Sequence, residues 1–92
     1  MTDIEKLIEK EFEKREFKVP TRKIYKKKLL ELFEFYDQFD PKDISFDQID
    51  SFIFKKKRKE SPSSIGNLFW AIKMFYNEVL GKNYPLYQIR LP

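Results

Sequence analysis

Residues 40–52, DPKDISFDQIDSF, carry the strongest signals for the fold of this chain. Ser45 followed three residues later by Gln48 is the pattern of a capping box, in which each side chain accepts a hydrogen bond from the other residue's backbone N–H. Ile44 and Ile49 have the spacing of a hydrophobic staple across the same cap. The stretch therefore predicts a helix that begins directly after Ser45.

Proline residues divide the rest of the chain in the same way. Pro20, Pro41 and Pro62 each lie just before or at the start of a helical pattern, and no strand-like alternation of useful length is present. We predict helices over residues 3–17, after Pro20 with Thr21 as N-cap, after Ser45, and from Pro62, with Ser61 as N-cap, to a stop at Gly81. The predicted core residues, spaced by three and four, are Ile4, Leu7, Ile8, Phe12, Tyr25, Leu29, Leu32, Phe33, Tyr36, Phe39, Ile49, Phe52, Ile53, Ile65, Leu68, Phe69, Ile72, Phe75, Tyr76 and Val79. The pattern predicts an all-α, four-helix domain over residues 1–82, and residues 83–92 as an extended tail with little core of its own.

Composition excludes several classes of chemistry. The 92 residues contain no Cys and no His, so disulfides, thiolate metal sites and Ser-His or Cys-His catalysis are excluded. Asp40, Asp43, Asp47 and Asp50 form a carboxylate cluster, which we interpret as turn and first-turn acids that complement a helix N-terminus. We expect no catalytic residue, metal or cofactor. No apolar run is long enough to span a membrane and no signal peptide fits, so we expect a cytoplasmic protein without membrane contact.

Charge is distributed unevenly. The net charge is +4, but residues 1–17 hold six acids and four bases, so residues 18–92 carry +6. A basic body indicates a polyanionic partner, and a well-solvated lysine surface is the alternative.

Two basic clusters stand out. Residues 21–28, TRKIYKKK, place Arg22 and Lys26 four apart, and likewise Lys23 and Lys27. Like charges at that spacing repel by a few tenths of a kcal/mol per pair on a helix, which favours presentation to phosphates over an ordinary solvated face. The second cluster, residues 55–59, suits either the negative end of a helix dipole or a phosphate backbone, and it also resembles a short nuclear localisation signal.

The start of the fourth helix carries small polar side chains. Ser63, Ser64, Asn67 and Lys73 lie away from its apolar stripe, and exposed N–H groups at a helix N-terminus favour phosphate. Trp70 also lies off the centre of the stripe. Burial in the core is the more common state of such a residue, and exposure against DNA or a partner domain is the alternative.

In order and spacing, these features resemble the core-binding domain of tyrosine recombinases, the phage integrase family. The resemblance covers essentially the whole chain. Its motifs are the acidic, proline-led stretch 40–52, the serine-rich SPSSIGN of residues 61–67, AIKMFY at 71–76 followed by LGK at 80–82, the second-helix residues Thr21, Tyr25, Leu29, Phe33 and Tyr36, and IRLP at 89–92. Gly66 departs from the pattern, since Gly inside a helix costs about 1 kcal/mol relative to Ala.

The resemblance implies a SAM-like orthogonal four-helix bundle that forms one half of a clamp around duplex DNA. It implies that the second and fourth helices meet the major groove, and that a catalytic domain of the same protein, absent from this chain, carries the Tyr, Arg, Lys and His of DNA strand exchange. Residues 83–92 would begin the linker to that domain, and self-association would occur only on DNA. The expected DNA-binding residues are Arg22, Lys23, Lys26, Lys27, Ser63, Ser64, Asn67 and Lys73, with Asn67 the best candidate for a base edge. The alternative function is a helical protein–protein interaction module with a solubilising basic surface.

Overall fold

Four α-helices form the frame of the computed structural model, which describes residues 3–91. They are α1 (Asp3–Lys14), α2 (Val19–Phe35), α3 (Phe46–Lys57) and α4 (Pro62–Ile72), and a π-helical segment, Lys73–Val79, continues α4. Short 3-10 turns lie at Pro41–Asp43 and Leu86–Gln88. Residues 3–91 contain no strand, which confirms the predicted all-α, four-helix architecture. No helix in this range is long and apolar enough to cross a membrane.

The capping box at the start of α3 is present as predicted. The Ser45 hydroxyl accepts the Gln48 N–H at 3.1 Å, and the Gln48 side chain accepts the Ser45 N–H at 2.8 Å. Ile44 and Ile49 are both fully buried. The cap therefore fixes the entry of α3, and the staple joins that entry to the core.

The predicted end of the first helix and the predicted start of the second are each wrong by three residues. α1 ends at Lys14 and not at Phe17, because Glu16 adopts a left-handed conformation with φ 55°. α2 begins at Val19, so Thr21 is already helical and is not the N-cap. Pro20 lies within the first turn, where the missing N–H of proline costs nothing because first-turn N–H groups have no helical partner.

One hydrophobic core joins all four helices. Most of the predicted core residues are buried or pack against it, and Ala71 and Met74 are buried in addition. Leu7 and Phe39 were predicted in the core and are exposed. For Phe39 the reason is that α2 ends at Phe35, so the helical spacing no longer governs where its side chain lies.

The change from α to π geometry after Ile72 widens the last turns of the fourth helix. The Leu80 N–H bonds the Phe75 carbonyl, five residues back, at 2.9 Å. Three consecutive residues of this segment, Met74, Phe75 and Tyr76, are buried. Gly81 ends the segment with φ 67°, as the predicted stop requires.

Residues 83–91 pack against the bundle, so the expectation of an extended tail with little core is wrong. The Asn77 side chain bonds both the N–H and the carbonyl of Tyr84, at 2.8 and 3.0 Å. The Tyr84 hydroxyl donates to the Ile44 carbonyl at 2.8 Å, and Leu86 and Ile89 are buried. The sequence pattern missed this packing because the contacts join residues far apart in the chain and have no local periodicity.

Candidate nucleic-acid interface

The basic cluster of α2 and the N-terminus of α4 meet at one hydrogen-bonded junction. The Lys28 ammonium donates to the Ser64 hydroxyl at 2.6 Å and to the Glu60 carboxylate at 3.0 Å. Glu60 also accepts from Ser64 at 2.5 Å and pairs with Lys56 at 3.2 Å. These contacts, the Ser64 hydrogen bond foremost, lower the pKa of Glu60 to about 2. The junction therefore holds together the two helices that carry every predicted DNA-binding residue but Lys73, which lies on the π-helical continuation of α4.

Lys23 and Lys27 present free charge on the outer face of α2. Both are exposed, and neither forms an ion pair with any residue in the range 3–91. With Lys26, Leu30, Glu31 and Glu34 they line a shallow surface groove of about 430 Å³ along α2. Their ammonium groups are thus available to an anion that approaches this helix.

Arg22 and Lys26 are engaged with the first helix and the turn after it. The Arg22 guanidinium donates to the Phe17 carbonyl at 2.7 Å. Lys26 pairs with Glu9 at 3.0 Å, and that hydrogen bond raises the pKa of Lys26. Both side chains are half-buried, so the structure separates the four predicted α2 residues into two that position α1 and two that are free.

One outward face of α4 carries Ser63, Asn67 and Trp70, which are spaced four and three residues apart. Ser63 is exposed and Asn67 is half-buried. Ser64 faces the junction instead, where its hydroxyl is bonded to Lys28 and Glu60. Ser61 caps the helix by accepting the Ser64 N–H at 3.2 Å, as predicted.

Trp70 is exposed, so its interpretation as a core residue is wrong. Half of its surface, 51%, is accessible, and the Lys73 ammonium lies 4.6 Å from the ring centroid. A cation over an indole face is held by the ring quadrupole. The exposure of Trp70 could have been predicted from its spacing from Ser63 and Asn67, which places it on the same outward face of α4 as these two predicted DNA-binding residues.

Comparison with known protein families shows which family this chain belongs to. The sequence profile described as the phage integrase N-terminal SAM-like domain matches residues 4–86. The chain belongs to this family. Comparisons with curated proteins and with solved structures gave no match. The resemblance to the N-terminal domain of tyrosine recombinases is thereby confirmed, and so is the SAM-like form of the bundle.

Asp40, the first of the carboxylates near the entry to α3, has a structural role in this SAM-like domain. The Asp40 side chain accepts the Lys42 N–H at 3.1 Å and so caps the 3-10 turn. Within residues 3–91, no group of three side chains has an arrangement suited to a metal ion. The contact at Asp40 supports the interpretation of this acid as a turn residue.

Proposed function

We propose that this SAM-like domain is the non-catalytic duplex-DNA-binding domain of a tyrosine recombinase or integrase. In this proposal it clamps the core site from one side, and a catalytic domain of the same protein closes from the other. The observation that carries the proposal is the junction of Lys28 with Ser64. It fastens the helix that bears Lys23 and Lys27 to the helix that bears Ser63 and Asn67.

The two helices have complementary chemistry toward DNA. Lys23 and Lys27 are suited to neutralise phosphates, which releases condensed counterions and supplies affinity without reading sequence. Asn67 offers one amide donor and one acceptor on a helix face, the geometry that pairs with the N6 and N7 atoms of adenine in the major groove. Ser63 adds a small donor beside it, and the Lys73 ammonium stands over Trp70 at the far end of the same face. Positioning is thus assigned to α2 and sequence discrimination to α4.

Salt-dependent DNA binding tests the proposal. We expect the chain to bind a fluorescein-labelled duplex, measured by anisotropy, with a dissociation constant that rises steeply from about 50 to 200 mM salt. The double variant Lys23→Gln/Lys27→Gln should reduce the slope of log affinity against log salt by about 2, since each phosphate contact contributes about 0.9. The matched control is Lys10→Gln/Lys14→Gln, which removes the same charge from exposed positions on α1 and should leave the slope unchanged.

Two results would contradict the proposal. The first is the absence of salt-sensitive binding by the native chain at low ionic strength. The second is an equal effect of the α2 and α1 variants, which would show a response to net charge only.

Exposed aromatic side chains favour a second candidate, a protein–protein interaction module. Phe54, Trp70 and Tyr87 are each more than half exposed, and exposed apolar groups mark a docking surface where they form a contiguous patch. Concentration-dependent association in sedimentation experiments without DNA, combined with no DNA binding, would favour this function.

A further inference from the structure

The five basic side chains in the last turn of α3 and the loop after it, residues 55–59, fall into two groups with different surroundings. Lys56 and Lys57 are half-buried. Lys56 pairs with Glu60 at 3.2 Å and with Glu31 at 3.9 Å, and the Lys57 ammonium donates to the Arg90 carbonyl at 2.7 Å. Lys55, Arg58 and Lys59 are exposed, and none of them forms an ion pair within residues 3–91. A run that looks uniform in sequence therefore contains three free cations.

The nearest acid in the sequence does not neutralise these three cations. Glu60 follows Lys59 directly, but its carboxylate is bonded to Lys28, Lys56 and Ser64. Its negative charge balances two lysines that hold α2, α3 and α4 together. The Glu60 carboxylate is therefore not available to pair with Lys55, Arg58 or Lys59.

Aromatic rings hold two of the free cations in place. The Lys55 ammonium lies 4.9 Å from the centroid of Phe35, and the Arg58 guanidinium lies 5.2 Å from that of Phe54. Both rings are exposed. A cation over a ring face keeps its N–H donors for other acceptors, and an arginine held in this way loses less freedom on binding. The cluster is therefore partly preorganised to receive an anion.

We infer that Lys55, Arg58 and Lys59 form a second phosphate-binding surface for duplex DNA. Lys59 precedes Ser61, the N-cap of α4, by two residues, and Ser63 of the proposed DNA-facing side follows in the next turn. This surface extends the contact from the α2 and α4 face around the N-terminus of α4 onto the end of α3. The inference rests on the proposed function. It gives a DNA-binding role to a basic cluster whose position at the end of α3 the helix dipole alone would also favour.

The test compares two triple variants that lose the same charge. Lys55→Gln/Arg58→Gln/Lys59→Gln removes the proposed surface, and Lys6→Gln/Lys10→Gln/Lys14→Gln removes three exposed lysines of α1. Anisotropy titrations of a labelled duplex from about 50 to 200 mM salt give the salt slope of each protein. We expect the slope of log affinity against log salt to decrease in magnitude by about 2 to 3 in the α3 variant and to stay at the native value in the α1 variant. Far-UV circular dichroism and thermal unfolding verify that both variants are folded.

The outcomes separate this inference from the proposed function. Suppose that the native chain binds duplex DNA and that Lys23→Gln/Lys27→Gln weakens this binding. Equal salt slopes of the α3 variant and the α1 control would then overturn the second phosphate-binding surface but not the proposed function. If the native chain shows no salt-sensitive binding, both proposals are overturned. If the α3 variant loses stability but keeps the native slope, the cluster serves the helix dipole and the inference is wrong.

Discussion

Replacement of Glu60 by glutamine removes one charge from the point where α2, α3 and α4 meet. The carboxylate bonds the Ser64 hydroxyl at 2.5 Å, Lys28 at 3.0 Å and Lys56 at 3.2 Å. Only 12% of the Lys28 side chain is accessible to solvent. Glu60→Gln preserves the size of the side chain but leaves this enclosed ammonium with less negative charge around it.

The expected loss of stability follows from the pKa of the carboxyl group. Hydrogen bonds from Ser64 and the two lysines lower the pKa of Glu60 from its ordinary 4.5 to about 2. At 1.36 kcal/mol per pH unit the shift corresponds to an upper bound of about 3.4 kcal/mol. Solvent reaches 22% of the Glu60 side chain and screens these interactions, so we expect a loss of about 1–2 kcal/mol at pH 7. For a domain of this size, the melting temperature should fall by roughly 5–10 °C.

The sign of the pH dependence is fixed by the direction of the shift. Because the folded-state pKa of Glu60 is lowered, its contribution is fully present above about pH 4.5 and is lost as the pH falls toward about 2. The difference in unfolding free energy between the native protein and Glu60→Gln should therefore shrink over this range. Urea unfolding followed by circular dichroism at pH 7, 5 and 3 measures it.

Glu13→Gln is the matched control, since Glu13 is exposed and forms no ion pair within the described residues. Its stability should differ from that of the native protein by less than about 0.5 kcal/mol. A Glu60→Gln effect that is equally large at pH 3 and pH 7, or no larger than that of the control, would refute the assignment of Glu60 as the electrostatic centre of the junction.

Two further substitutions test the packing of the fourth helix. Tyr76→Phe removes the hydroxyl that donates to the Pro41 carbonyl at 2.5 Å, and it should lower the free energy of unfolding, measured with urea, by about 1–2 kcal/mol. The control is Tyr87→Phe, at a side chain that is 85% exposed, which should leave the free energy of unfolding almost unchanged. Gly66→Ala should raise the unfolding free energy by about 0.5–1 kcal/mol, because Gly66 lies inside α4 and an added Cβ meets no atom within 4 Å; a loss of stability at this position would contradict the helical geometry described for it.

Local chemistry made most of the fold predictable from the sequence. Ser45 with Gln48, and Ser61 with Pro62, determine helix starts through contacts within four residues, and both starts were predicted correctly. The start of α2 was misplaced because Pro20 is compatible with two positions relative to a helix N-terminus. The burial of Leu86 was missed because it depends on residues that arrive from distant parts of the chain.

The candidate site shows the same division between local and distant contacts. The basic character of α2 was apparent from residues 21–28, but the engagement of Lys26 by Glu9, seventeen residues earlier, was not. For Trp70, burial was favoured over exposure because large aromatics are most often buried, and its side chain is 51% exposed. Only the tertiary arrangement distinguishes lysines that hold helices together from lysines that remain free.

The closure of the core by residues 84–89 has a consequence for the order of folding. Ile44 is bonded through its carbonyl to Tyr84, forty residues later, and Pro41 to Tyr76, thirty-five residues later. A chain emerging from the ribosome begins to form local structure before its distant partners are synthesised. The cap at the entry to α3 can thus form early. The packing of Tyr84, Leu86 and Ile89 against the bundle forms only after residues 84–89 have been synthesised. Synthesis must pass this segment before the domain reaches its full resistance to unfolding.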